Sequence, residues 1–122
     1  YHQAVHFGEL KDGLIRGSRF DKTVEREFAS FLSDKKDEDI INLCKSLGGE
    51  IIKSKFDLSV VFYLFPNYPV TLNIWFADDE FGAVGNMLVD KSADNYLTIE
   101  DDVVAGEFML RYIFERYNEL YM

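Results

Sequence analysis

Two runs of alternating apolar residues, Leu58–Phe65 and Val70–Phe76, are separated only by Pro66-Asn67-Tyr68-Pro69. A connection that short requires the two strands to run antiparallel. Alternation places Leu58, Val60, Phe62 and Leu64 on one face, matched by Val70, Leu72, Ile74 and Phe76. That face is apolar throughout and reads as core. The other face is mixed, with Ser59, Val61, Tyr63, Phe65, Thr71, Asn73 and Trp75. Shorter runs at Ile51-Ile52 and Val84–Val89 extend the pair into a meander of about four strands.

Helical periods flank this meander. Asp21 is placed to cap a helix that buries Val24, Phe28, Phe31 and Leu32 on one stripe. The charge run Asp34 to Asp39 separates it from a second helix, with Ile40, Leu43, Cys44 and Leu47 at helical spacing and Gly48-Gly49 as its stop. Thr98 and Asp101 form a variant capping box, and Glu100, Asp101 and Asp102 complement the positive end of the helix that follows. Ile99, Gly106, Met109, Leu110, Ile113, Tyr117 and Leu120 make its main stripe; Val104, Phe108 and Tyr112 make a second. Only a narrow polar wedge remains around Glu107, Arg111, Glu115 and Asn118, so burial from two sides is expected. The opening to Phe20 contains Gly8, Gly13 and Gly17 and reads as a loop with one short strand at Ala4 to Phe7. The fold class is α+β: an antiparallel meander, two preceding helices and one long C-terminal helix. At 122 residues it is read as a single domain, 1–122.

Charge excludes some partners. The net charge is −9, and between Ala77 and Glu107 nine acids face one base, Lys91. Such a surface repels phosphate backbones and anionic membranes, so neither nucleic acid nor membrane is an expected partner. The longest apolar run, Val60 to Phe65, is far too short to span a bilayer. The lone Cys44 supplies no disulfide, and no zinc or iron–sulfur site by itself; it reads as a small core residue in a reducing cytoplasm. No basic-then-apolar leader opens the chain; because it starts at Tyr1 rather than Met, it is expected either to have been trimmed or to continue upstream.

Several segments resemble a known family. Asn73-Ile74-Trp75-Phe76, the acidic turn Ala77-Asp78-Asp79-Glu80-Phe81, and the stretch Leu88-Val89-Asp90-Lys91-Ser92-Ala93-Asp94-Asn95-Tyr96-Leu97-Thr98-Ile99-Glu100-Asp101 with Gly106-Glu107 beyond it are similar to the prokaryotic domain of unknown function 3786. His6-Phe7-Gly8-Glu9-Leu10 resembles the middle of that domain. The resemblance implies that this chain answers to roughly the C-terminal two thirds of a typical member. Members occur in anaerobic bacteria and archaea, some joined to an iron–sulfur module like those of corrinoid methyl-transfer proteins. That context implies an accessory role near one-carbon or redox metabolism. Many members carry histidine where this chain has Asn95, so no metal or proton-transfer role is carried over to that position.

Two groups are candidate sites. Tyr63, Phe65, Asn73 and Trp75 on the mixed sheet face suit a protein partner, a small planar ligand or a preceding portion of the chain itself. Asp78, Asp79, Glu80, Asp90, Asp94, Glu100 and Asp101 would bind a hard cation or divide acid–base work if they converged. Their places in a turn, at a strand end and at a helix start favour a structural role instead. His2 and His6 share helical spacing, but no helical pattern surrounds them. There is no nucleophile elbow, no phosphate-binding loop and no calcium loop. The reading is an interaction or accessory module without metal or cofactor, with self-association open to it; a cation-binding or enzymatic domain built on the acids is the alternative.

Overall fold

The computed structural model describes residues 3–121. Among the described residues five strands form one antiparallel sheet: β1 (Ala4–Val5), β2 (Glu50–Ile52), β3 (Leu58–Phe65), β4 (Tyr68–Trp75) and β5 (Val84–Asp90), in the order β1-β5-β4-β3-β2. The expected meander is therefore present, and the N-terminal strand pairs with β5 through Ala4↔Asp90 and Val5↔Val89. Three α-helices of the described residues accompany the sheet: α1 (Arg16–Leu32), α2 (Asp37–Ser46) and α3 (Ile99–Tyr121).

Alternation fixes the register. Val60 faces Leu72 and Phe62 faces Val70, so one apolar face is continuous across β3 and β4. Val60, Phe62, Val70, Leu72, Ile74, Met87 and Val89 are buried there with Val24 and Phe28 of α1, Leu43 and Cys44 of α2, and Val103, Met109 and Ile113 of α3. Burial pushes the Cys44 thiol up to about 12, so it packs as a small hydrophobe rather than reacting.

The start of α1 differs from expectation. It begins at Arg16, not after Asp21. Asp21 instead reaches across to the 3-10 turn Phe7–Glu9, accepting hydrogen bonds from the amides of Phe7 at 3.0 Å and Gly8 at 2.9 Å. Gly17 permits this approach, since a Cβ there would stand 2.3 Å from the Phe7 carbonyl oxygen. Asp21 thus lies inside α1 and does not cap it; its carboxylate holds the N-terminal turn instead.

The second stripe of α3 is also different. Val104, Phe108 and Tyr112 are 58%, 60% and 46% exposed, whereas two-sided burial was expected. The main stripe is buried through Gly106, Met109, Leu110, Ile113 and Tyr117, while Leu120 is exposed. α1 and α2 flank α3 on its other sides, and no element of the described residues covers the second stripe. Among the described residues no helix is long and apolar enough to cross a membrane.

Candidate functional site: an apolar groove between the last helix and the sheet

Strict alternation would send Leu64 and Phe65 to opposite faces of the sheet. The register between β3 and β4 slips between Tyr63 and Phe65, where Phe65 pairs with Tyr68 around the Pro66-Asn67 turn. An irregularity of this kind re-aims the side chains beside it. Both Leu64 and Phe65 consequently line one groove with Leu97, Val104, Ala105 and Phe108. The groove measures about 410 Å³, and Asp101 is the charged residue in its lining. Phe108 and Tyr112 stack along the helix with ring centroids 6.3 Å apart, continuing the apolar strip. The Phe65 ring also meets Tyr68 edge-on at 5.6 Å, beside a smaller hollow formed with Tyr96 and Leu97.

The sheet-face quartet is dispersed. Tyr63 lies on the open face, where it lines two shallow hollows with Pro69 and Asp90. Phe65 has gone to the groove just described. Asn73 is buried in a polar ladder: Ser59 Oγ donates to Asn73 Oδ1 at 2.6 Å, and Asn73 Nδ2 donates to Asn86 Oδ1 at 3.1 Å. Trp75 stands at the far end of β4 against Phe56, centroids 5.2 Å apart. No single pocket holds the four.

The carboxylates of Asp78, Asp90, Asp94 and Glu100 each serve a separate set of donors. Asp78 Oδ1 accepts from the amides of Glu80 at 2.8 Å and Phe81 at 2.7 Å, which hold its carboxyl below the usual range. Asp79 and Glu80 are exposed on the same turn. Asp90 accepts from the Gln3 amide at 2.7 Å and from Ser92, through both its amide at 3.0 Å and its hydroxyl. Asp94 takes the Lys11 amide at 3.0 Å and the Lys91 ammonium at 3.1 Å. Glu100 pairs with Arg16 at 3.3 Å. The Asp101 amide donates to Thr98 Oγ1 at 3.3 Å. Among the described residues no three His, Cys, Asp or Glu side chains are arranged to hold a metal ion. His2 lies outside the described residues; the His6 amide donates to Glu9 Oε1 at 2.8 Å in the N-terminal turn.

Asp102 departs from the helix-start role given to it. It is completely buried, and its Oδ1 accepts a 2.6 Å hydrogen bond from the Tyr68 hydroxyl. Its Oδ2 has no partner among the described residues. Burial pushes this carboxyl up to about 6, the Tyr68 bond opposes the shift, and the negative charges of Asp94 and Asp101 add to it. Burial and the neighbouring carboxylate push the Tyr68 phenol far up as well. One acid in a run of three gives no sign in the sequence that it points inward, although i, i+7 spacing from Asp102 to the buried Met109 places both on one helix face.

No curated protein and no solved structure matches the chain. A family model does match, that of the domain of unknown function DUF3786, over residues 2–112. The match takes in nearly the whole chain, and the narrower assignment to the C-terminal two thirds of the domain is set aside. It contains every strand, the bulge at Tyr63–Phe65, and α3 as far as Tyr112, so the groove lies inside it. The chain belongs to the DUF3786 family.

Proposed function

We propose that this domain is a non-catalytic accessory module that holds a partner protein in the groove between α3 and the end of β3. The observation that carries this reading is the exposure of Val104, Phe108 and Tyr112 in one row, next to Leu64, Phe65 and Leu97. From position 104 to 112 such a row runs roughly 12 Å along a helix. A contiguous apolar strip of that kind costs free energy in water and marks an interaction surface. Aromatic residues at its centre are the type that anchors protein interfaces.

The partner is cationic in this reading. The chain carries −9, and Asp101 lines the groove itself. A second copy would bring like charge to like charge, which disfavours self-association through this face. The single buried thiol suits a reducing cytoplasm as the place of work. The alternative, a cation-binding or catalytic site built on the acids, has less support because Asp78, Asp90, Asp94 and Glu100 already serve separate local donors.

Photo-crosslinking in source cells tests the proposal. A crosslinkable residue at position 112 should capture one reproducible protein that the same residue at position 79 does not. Equal yields from both positions would remove the groove from consideration. Calorimetric titration with magnesium, calcium and manganese is the companion measurement: no saturable heat is expected, and a clear one would favour the acid-based alternative.

A further inference from the structure

β2 pairs with β3 only through Glu50↔Val61, Ile51↔Val60 and Ile52↔Ser59. β3 itself continues to Phe65. Before β2 the chain turns away into α2, and the Gly49 amide donates to the Cys44 carbonyl at 3.0 Å rather than to β3. From Tyr63 to Phe65 the outer edge of β3 therefore has no strand beside it among the described residues, while its inner edge pairs with β4 through Tyr63↔Pro69 and Phe65↔Tyr68.

Natural sheets guard open edges with charged residues, proline or bulges. The open stretch Phe62-Tyr63-Leu64-Phe65 contains no charge and no proline, and the irregularity between Tyr63 and Phe65 belongs to its pairing with β4 on the inner side. The open edge ends at Leu64 and Phe65, two residues that line the apolar groove with Val104 and Phe108. Unpaired backbone and uncovered apolar side chains thus adjoin.

We infer that the partner is received as an extended segment that adds a strand to the free edge of β3. Alternate apolar side chains of the segment enter the groove over Val104 and Phe108, and its basic side chains, on the opposite face of the added strand, answer the net charge of −9. This inference rests on the docking reading above and names the form of the occupant. Strand addition satisfies both deficits at once: main-chain hydrogen bonds supply affinity, and the groove selects every second side chain. A helical partner would cover the α3 stripe and leave the edge of β3 unpaired. The negative charge makes an alternating basic and apolar segment the complementary one.

The experiment uses the full chain, isotope-labelled for NMR, and a short synthetic peptide of alternating lysine and valine. Saturable binding is expected, with slowed exchange of the edge-facing amides within Phe62–Phe65 and contacts from the peptide valines to Phe108. Methylating alternate backbone nitrogens of the peptide should weaken binding on the order of tenfold by removing its donors. Undiminished binding of the methylated peptide would overturn strand addition. So would preferential binding of a helical lysine–leucine peptide that shifts Phe108 and Tyr112 without protecting the β3 amides; that outcome would leave the docking surface itself standing. Protection of the β3 edge in concentrated protein without peptide would assign the edge to a second copy and also overturn the inference. If neither peptide binds and no self-association is seen, the docking reading falls with it.

Discussion

The Tyr68 hydroxyl donates to Asp102 at 2.6 Å, tying the first residue of β4 to the first turn of α3 in the buried interior. This bond anchors the N-terminal end of α3 beside the hairpin whose bulge shapes the groove. It also leaves a carboxylate oxygen buried without a partner among the described residues. A buried carboxylate so placed titrates above its ordinary range.

Stability should therefore depend on pH through Asp102. Its carboxyl moves from 3.8 to about 6 on folding, so within that window the folded state holds the extra proton. The contribution is greatest below the lower value and is lost as pH rises through the upper one. Asp102→Asn should flatten that decline and equal or exceed the parent stability at pH ~7, an effect on the order of 2 kcal/mol. Urea denaturation of both proteins at pH ~5 and ~7 measures it; an unchanged slope in the variant would exclude Asp102 as the titrating group.

Removing the Asp21 carboxylate should loosen the N-terminal turn. Its two oxygens accept the Phe7 and Gly8 amides, and both amides would lose a charged acceptor. Asp21→Ala is expected to cost on the order of 2 kcal/mol. Hydrogen exchange should localise the change to those two amides, and protection equal to the parent would contradict the assignment.

Gly106→Ala sets two effects against each other. Alanine gains about 1 kcal/mol of helix propensity over glycine. The new Cβ, however, would stand 2.5 Å from the Phe20 ring and 3.0 Å from Phe7, inside a closely packed pair of rings. Overpacking of this kind costs roughly 1–3 kcal/mol, so net destabilisation is expected. A raised melting temperature would show that the two rings move aside.

Phe108→Ser should leave the fold almost untouched. The side chain is 60% exposed, unlike the core aromatics whose truncation costs about 3–5 kcal/mol. A change within about 0.5 kcal/mol in urea is the expected result. A loss comparable to a core truncation would mean that the second stripe of α3 is covered after all.

The hairpin, the meander and all three helices are legible in the sequence because their periods of two and of roughly four are long and unbroken. The start of α1 is not, because Gly17 reads locally as a breaker while its actual use is to let Phe7 approach. Alternation places Phe65 on the sheet face, and one slipped register moves it to the groove. The spacing of Val104, Phe108 and Tyr112 shows correctly that they share a helix face. Spacing does not say what covers a face, and three apolar residues in a row look the same whether a core or a partner receives them. Asp102 was hidden in the same way among acids whose charge suits a helix start.

Hydroxyl-radical footprinting of Phe108 and Tyr112, read by mass spectrometry on the purified domain and inside its source cells, tests the central claim most directly. Trp75 and Phe81 are exposed away from the groove and serve as internal references. Phe108 and Tyr112 should be oxidised in the purified domain and strongly protected in cells, with Trp75 and Phe81 labelled alike in both. Equal oxidation of Phe108 and Tyr112 in the two settings would contradict a partner-holding role for the groove.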